Sequence, residues 1–284
     1  MEQNVFRMLI CEEQVSLTLA DTTELVKEAQ RIHGLKKGMA EVLGKFLSAA
    51  VYMSSALKEE SGEISFALHT DGACGQINVS GNHSLHIRGY AEGADAEGAE
   101  SELLGNNGSF TVIRDDGYSR PFVGSCAIPE SATVEAIFEE YYNISEQLPT
   151  FMGSVVDFDE NGEVLFAGIA VLQPLPFTSE AVVESLPKGE ALRALVREMR
   201  GADAAEVAIR VFSAKKDGIK ARKATYTCNC SRLYLMQVLA SLGEAQMREI
   251  IREDGAVRVH CHYCNTDYSF DDKDADLIFK KKQK

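Results

Sequence analysis

The stretch VVDFDENGEVLFAGIAV, residues 155–171, decides the fold class of this chain. Its two β-prone runs, Val155–Phe158 and Val164–Val171, flank Asp159-Glu160-Asn161-Gly162, which is typical of a tight turn. The stretch therefore predicts an antiparallel hairpin. Similar short β runs broken by Gly, Asn and Asp fill residues 64–128, so the sequence predicts antiparallel sheet over much of the first half of the chain.

Residues 5–20 are predicted to form a further hairpin. Helices are predicted after it, because apolar residues recur at helical spacing up to Gly34 and again from about Gly38 to Lys58. Pro129 to Tyr142 returns to the same spacing. The fold class that follows is α+β, with a β-rich N-terminal domain and packed helices over residues 1–177.

Residues 178–227 show no strand pattern until their end and are predicted to form a helical linker. The breaks at Pro187-Lys188-Gly189 and Arg200-Gly201 divide the linker into short amphipathic helices. Each is shorter than the roughly 12–15 residues that stay helical alone in water, so packing on neighbours must hold them. The apolar residues proposed to mediate this packing are Val182, Val183, Leu192, Leu195, Val196, Met199, Val211 and Phe212.

Charge and hydropathy restrict the function class. The net charge of −14 is unevenly distributed. Residues 1–177 have a net charge of −17, residues 178–227 have a net charge of +3, and the charges of residues 228–284 balance to zero. An acidic body repels phosphate backbones, so broad nucleic-acid binding is not expected. No apolar run approaches the roughly 18 residues of a membrane span, and the N-terminus lacks the basic and apolar order of a signal peptide. The sequence thus predicts a cytoplasmic protein that does not enter membranes.

The seven cysteines fall into two groups. Cys11, Cys74 and Cys126 stand singly, and the other four, Cys228, Cys230, Cys261 and Cys264, lie within 37 residues. These four form a CxC pair and a CxxC pair separated by 30 residues, so a helical hairpin can bring four thiolates together. Four soft ligands suit tetrahedral zinc. The sequence therefore predicts one Zn²⁺ per chain in a small module over residues 228–284.

Several alternatives for this module stay open. The site could be purely structural, or His260 or His262 could replace a cysteine ligand. Thiolates are also the form that peroxide attacks, and Arg232 with the two histidines would favour that form if they lie close to the sulfurs. Oxidation would remove the metal and, with it, folding energy of the module.

The sequence gives less support to other functions of this module and of the chain. A nucleic-acid-binding zinc ribbon would rely on Tyr263, Tyr268 and the terminal lysines, and a thiol-disulfide oxidoreductase would need its CxxC at a helix start. A Cys74–His69 catalytic pair has no recognisable motif around it. The GxSxG, HExxH and EF-hand patterns do not occur, so the sequence predicts a protein that is not an enzyme.

The residues nevertheless match a known family almost end to end. The chain resembles the redox-regulated holdase chaperone of bacteria, the heat-shock protein of 33 kilodaltons. The shared marks are Leu47–Ala50, Thr70-Asp71-Gly72, Arg88–Ala91, Leu103-Leu104-Gly105, the SEQLPT run from Ser145 to Thr150, Gln173–Pro176, and the CxC and CxxC pairs. The chain departs from the family at Leu233-Tyr234, where charged residues are common, and this departure bears on how the module packs.

The resemblance implies a three-part switch. In the family, four cysteines hold zinc while the protein is reduced and inactive, and oxidation pairs neighbouring cysteines, here Cys228 with Cys230 and Cys261 with Cys264. Zinc then leaves, module and linker unfold, and exposed apolar surface binds unfolding client proteins without ATP. The linker side chains named above are the client contacts that this implies. The resemblance also implies a monomer when reduced and a homodimer when oxidised.

Overall fold

A computed structural model describes residues 3–130 and 132–280. The chain forms two compact units, one ending at Thr227 and one beginning at Cys228. Lys281, Lys282 and Lys284, the terminal lysines of the rival nucleic-acid interpretation, lie outside the described residues. No helix within the described ranges is both long enough and apolar enough to cross a bilayer.

The first unit is built from two sheets and the helices that cover them. In chain order its strands are β1 (Val5–Ile10), β2 (Val15–Asp21), β3 (Glu63–Thr70), β4 (Gln76–Asn82), β5 (His86–Ala91), β6 (Gly108–Asp115), β7 (Phe122–Ala127), β8 (Phe151–Phe158), β9 (Val164–Pro174), β10 (Lys220–Arg222) and β11 (Thr225–Tyr226). Its α-helices are α1 (Thr23–His33), α2 (Lys37–Ser55), α3 (Glu100–Leu104), α4 (Val134–Tyr141), α5 (Glu180–Ser185), α6 (Glu190–Glu198) and α7 (Ala204–Phe212).

The first sheet has the strand order β10-β1-β2-β9-β8, and every neighbouring pair is antiparallel. The second has the order β11-β5-β4-β3-β6-β7 and is antiparallel except where β11 runs parallel to β5. The predicted hairpins are present as β1–β2 and β8–β9. The α+β fold class predicted from the sequence is therefore confirmed.

Helix α2 lies between the two sheets and fixes the main core. It packs against β8 and β9 on one side and against β4 and β5 on the other. Because both sides are covered, the helix is apolar around most of its circumference. The ring of Phe46 is 5.6 Å from that of Phe138 and 6.0 Å from that of Phe110. The helix ends at Ser55, three residues before the predicted Lys58.

The linker helices α5, α6 and α7 form a second core with the opposite face of the first sheet. The side chains of Ser179 and Asp203 cap α5 and α7, as their positions at the helix starts suggest. Leu192, Val196 and Met199 are at most 2% exposed. The predicted dependence of these short helices on neighbours thus has a physical basis in their packing against the sheet.

The linker prediction was wrong for Val211. This side chain is 43% exposed, although the spacing of α7 had grouped it with the buried Val207 and Ala208. The helix turns Val211 toward solvent, whereas Ile209 and Phe212 in the same last turn pack against the linker core. Val182 also packs against the linker core while partly exposed.

Residues 220–227, here called the strap, tie the end of the linker to both sheets. Strand β10 pairs with β1, and β11 pairs with β5. The Ala224 amide donates to Asn4 Oδ1 at 2.8 Å, and the Tyr226 hydroxyl donates to the Gly89 carbonyl at 2.9 Å. The strap therefore holds the chain to the body immediately before Cys228.

The second unit contains α8 (Arg232–Leu239), α9 (Glu244–Asp254), the β12–β13 hairpin (Val257–Cys261 and Thr266–Phe270) and α10 (Asp272–Lys280). Its apolar core is small and consists of Leu239, Met247, Ile251, Val257, Phe270, Ala275 and Ile278. Leu233 and Tyr234 on α8 are 68% and 50% exposed, so the departure at these positions adds little to this core.

Candidate metal centre

The local structure of the second unit places the four clustered cysteines. Cys228 and Cys230 lie in the irregular segment before α8, which begins after Ser231 because the Ser231 hydroxyl accepts a hydrogen bond from the Tyr234 amide. Cys261 ends β12, and Cys264 lies in the turn that leads to β13. The hairpin and the segment before the helix thereby present two cysteines each.

The geometry of the four sulfurs fits a tetrahedral metal ion. All four Sγ atoms lie within 4.8 Å of one another, and every one of these cysteines is a free thiol. The Cys228 and Cys261 sulfurs are 3.7 Å apart, and the Cys230 and Cys264 sulfurs are 3.1 Å apart. Zinc–sulfur bonds of about 2.3 Å in a tetrahedron require sulfurs about 3.8 Å apart. The four cysteines therefore fit a tetrathiolate ion such as zinc.

The thiols differ electrostatically. Burial is the main cause that raises the pKa of Cys230 and that of Cys261. Burial acts in the same direction on Cys264, but hydrogen bonds with Thr266 and with the neighbouring thiols outweigh it and lower the pKa of this cysteine. Crowded, partly buried sulfurs of this kind become stable thiolates together only when a cation balances their charge.

Tyr268 of β13 is a polar neighbour that the sequence interpretation did not assign to the site. Its hydroxyl is 3.4 Å from Cys230 Sγ. The hydrogen bond with this sulfur is the main reason why the pKa of Tyr268 is raised to about 12. A hydroxyl at this distance can donate to a thiolate and orient it. One sequence pattern could have assigned Tyr268 to the site. Side chains alternate between the two faces of a strand, so Thr266 and Tyr268 share one face of the strand that follows the CxxC turn.

Replacing Tyr268 by phenylalanine should weaken metal retention without unfolding the unit. Loss of an oriented partner of a metal ligand typically lowers affinity about tenfold or more. Competition with a chromogenic chelator measures this directly. Tyr118→Phe serves as the control, because that side chain is 81% exposed and belongs to the first unit. Equal zinc affinity for wild type and Tyr268→Phe would remove Tyr268 from the site.

Two residues predicted to favour the thiolates have other partners. Arg232 forms a 2.7 Å ion pair with Asp274 and lies 4.6 Å from the centroid of the Phe270 ring. His260 Nδ1 is 2.9 Å from a carboxylate oxygen of Asp267. Arg232 thus fastens α8 to α10, and His260 braces the β12–β13 hairpin. The expectation that these side chains act on the sulfurs is not supported by their contacts.

The two histidines named as alternative ligands lie outside the clustered group. Within the described residues, the group able to hold a metal consists of four cysteines, and neither His260 nor His262 joins it. The CxxC pair lies in a hairpin turn rather than at a helix start, so the placement that a thiol-disulfide oxidoreductase would need is absent from this unit as described.

The three single cysteines belong to the first unit. Burial raises the pKa of Cys74 and that of Cys126 to about 11, and the Cys74 thiol donates a long hydrogen bond to the Gly75 carbonyl rather than to His69. Cys11 is half-buried at the turn after β1, and burial raises its pKa as well. Thiols with raised pKa values react slowly with oxidants.

A variant carrying Cys11→Ser, Cys74→Ala and Cys126→Ala should keep its zinc stoichiometry and its response to peroxide, because all three thiols lie outside the four-cysteine group. Zinc release on peroxide treatment, monitored with a metal indicator, is the measurement. A folded triple variant that no longer releases zinc would show that the redox-sensitive set is larger than four.

Known proteins share both the sequence pattern and the fold of this chain. The family model described as Hsp33 protein matches residues 3–271. Proteins named 33 kDa chaperonin from Acetivibrio thermocellus and from Bacillus cereus strain G9842 are each 30% identical to the chain, over 96% of it and over 96% and 97% of their own lengths. The fold is also that of the crystal structure of the 33 kDa chaperonin from Thermotoga maritima, with a TM-score of 0.82, 23% identity and 99% coverage of both chains. Profile, length and fold coincide over nearly every residue, so the chain belongs to the Hsp33 protein family.

Proposed function

We propose that this chain is a redox-regulated, ATP-independent holdase chaperone that is inactive while its module is reduced and binds zinc. The observation that supports this most directly is the group of four free thiols within 4.8 Å of one another, in a unit with a small apolar core. Family membership supports the chaperone activity itself. The four sulfurs supply the sensitivity to oxidants.

Cys228, Cys230, Cys261 and Cys264 would hold one Zn²⁺ per chain, and the ion would keep all four as thiolates. In zinc peptides, metal binding contributes about 10–16 kcal/mol of folding free energy. Below roughly 70–80 residues an apolar core alone rarely supplies more than about 3–5 kcal/mol. The order of this unit therefore depends on its sulfur ligands.

Oxidation removes those ligands. Hydrogen peroxide converts each pair of thiolates to a disulfide, and the two electrons that the pair loses, together with two protons from solvent, reduce the peroxide to two molecules of water. We propose the pairs Cys228–Cys230 and Cys261–Cys264, which join sequence neighbours as the family resemblance implies. Disulfides no longer supply thiolate ligands for zinc, so the module loses its main source of stability.

The strap carries the change to the linker through the covalent chain. Strand β11 ends two residues before Cys228, so an unfolded module leaves the strap with an unrestrained end. The hydrogen bonds at Asn4 and Gly89 then compete with fraying of a short strand. Once the strap detaches, α7 and α6 are held to the sheet mainly by side-chain packing.

Release of the linker would expose apolar surface on both partners. The linker contributes the proposed client contacts Val182, Val183, Leu192, Leu195, Val196, Met199 and Phe212, with Val211 already accessible. The sheet contributes the apolar face that includes Phe6, Leu17, Phe166 and Leu172. A contiguous apolar surface formed by this many side chains is characteristic of binding sites for other proteins.

The proposed partners are unfolding client proteins, bound in the cytoplasm without catalysis. The oxidised protein is proposed to form a homodimer and the reduced protein to remain a monomer. Broad nucleic-acid binding is not part of this function, since the body carries a large negative charge.

The proposal is tested by light scattering from a chemically unfolded enzyme that is diluted into buffer with the reduced or the peroxide-treated protein. The oxidised protein should suppress aggregation without ATP, and the reduced, zinc-loaded protein should not. Equal suppression by both forms, or by neither, would contradict redox control.

A further inference from the structure

The first sheet contains a trough that accommodates α6. Gly153 of β8 lies directly opposite Ala170 of β9, and Gly168 of β9 lies opposite Val155. Gly153, Ala170 and Gly168 therefore form a floor of small residues on the linker side of the sheet, and Phe151 and Phe166 stand at its two ends. Larger residues on this floor would lift any element that packs there.

The contacts of α6 show how closely the trough is filled. A Cβ atom added at Gly153 would lie 2.5 Å from the Leu192 Cβ and 2.9 Å from the Arg193 nitrogen. At Gly168 it would lie 3.0 Å from both Val196 Cγ1 and Met199 Cε. Separations under 3.0 Å from backbone or Cβ atoms cannot be relieved by a side-chain rotation. The trough is shaped for a helix that approaches to backbone contact.

The helix in the trough has a regular anchor pattern. Leu192, Leu195, Val196 and Met199 occupy positions i, i+3, i+4 and i+7, which place them on one helical face. Lys188 before the helix lies 4.5 Å from the Phe151 ring centroid, and Arg200 after it lies 3.8 Å from Asp157. Cations thus flank the apolar face at both ends, and the body meets them with an aromatic ring and a carboxylate.

We propose that this trough, once α6 leaves it, binds an amphipathic client helix that carries apolar residues at i, i+3, i+4 and i+7 and basic residues at its ends. This rests on the proposed function, because α6 must be released first. A sheet face offers side chains and no free backbone groups, so an extended client would bury unpaired amides there, whereas a helix satisfies its own. Helix α6 is also shorter than a segment that is stable alone, so a longer client helix competes with it favourably.

The probe is a fluorescent synthetic helix of about 16 residues with the four-anchor spacing and lysines at both ends, a length chosen to be helical in isolation. Fluorescence anisotropy with the full-length protein measures its affinity. We expect binding at least tenfold tighter to the peroxide-oxidised than to the reduced protein. A peptide of the same composition with a central proline should bind the oxidised protein at least tenfold more weakly, and acidic ends should also weaken binding. Equal affinity for the helical and the proline-broken peptides would overturn the proposal.

A matched pair of glycine variants locates the site. Gly153→Val fills the floor and should lower peptide affinity of the oxidised protein at least tenfold, whereas Gly218→Ala, which has open space around it, should not. Unchanged binding by a folded Gly153→Val would overturn the proposal. If that variant does not fold, the binding site is located by cross-linking a photoreactive form of the peptide to the oxidised wild-type protein. Cross-links within residues 151–174 would support binding in the trough, and cross-links confined to residues 178–284 would contradict it.

This test is separable from that of the proposed function. An oxidised protein that suppresses aggregation but shows no preference for the helical peptide would overturn the helix trough and leave the chaperone function standing. An oxidised protein that does not suppress aggregation would contradict the function itself.

Discussion

Cys261→Ser should lose most of its zinc to a moderate chelator and should suppress client aggregation before any oxidant is added. One of four thiolate ligands is removed, which on the scale of 10–16 kcal/mol for a complete site costs about 3 kcal/mol, or roughly a hundredfold in affinity. The module core is too small to remain ordered after such a loss. Metal analysis after gel filtration, combined with light scattering, measures both effects.

Cys11→Ser is the matched control, since that thiol lies outside the four-cysteine group. It should retain one zinc per chain and remain inactive until oxidised. Wild-type zinc affinity in Cys261→Ser would exclude this residue from the ligand set. Loss of zinc without gain of client binding would show that the module does not restrain the rest of the protein.

Met199→Ser should activate the reduced, zinc-loaded protein. The Met199 side chain is buried against Gly168 at the C-terminal end of α6, and truncation of a buried methionine costs about 2–5 kcal/mol, to which a buried hydroxyl adds. A linker of short helices has little reserve against such a loss. Amide exchange should become faster across 178–227 while β1–β9 stay protected, and client binding should rise. Phe212→Ser should act in the same direction but less, because that side chain is only partly buried.

Val211→Ser is the corresponding control one residue away on α7. This side chain is already 43% exposed, so its loss should change stability by no more than about 0.5 kcal/mol and leave the protein inactive. If Met199→Ser also remains inactive with unchanged linker exchange, the linker is not the marginally stable element and clients must bind elsewhere.

Burial rather than charge dominates the attachment of the linker. Its net charge of +3 beside the acidic body predicts attraction, and ion pairs do occur, at Arg200–Asp157 and Lys215–Glu13. Three of the four side chains are more than half exposed and Asp157 is 29% exposed, and ion pairs this accessible to water contribute about 0–1 kcal/mol. Full burial of one large apolar side chain contributes about 1.5–3 kcal/mol. The apolar face of α6 therefore stabilises the linker more than its charges do.

Local patterns in the sequence predict the helices, the strands and the grouping of the four cysteines well. The hairpins, α2, the three linker helices and the four-cysteine group all follow from periodicity and spacing within short windows. Contacts between distant parts of the chain do not. The parallel pairing of Thr225–Tyr226 with His86–Ile87 and the ion pair between Arg232 and Asp274 depend on tertiary packing that no window contains.

Position on a helix face limits prediction in a similar way. Val211 and Phe212 are adjacent and both apolar, yet the end of α7 can direct only one of them toward the sheet. The role of Gly153 and Gly168 could not be predicted from the sequence either, because no local pattern indicates which helix packs on them. Their role becomes apparent only when α6 is seen packed against them.

The central claim is that the four cysteines control whether the linker is ordered. Time-resolved amide exchange during peroxide treatment, with zinc release followed in the same sample, tests it most directly. We expect exchange across 178–227 to accelerate in step with zinc release while β1–β9 remain protected. Zinc release and onset of aggregation suppression with unchanged exchange across 178–227 would contradict the account.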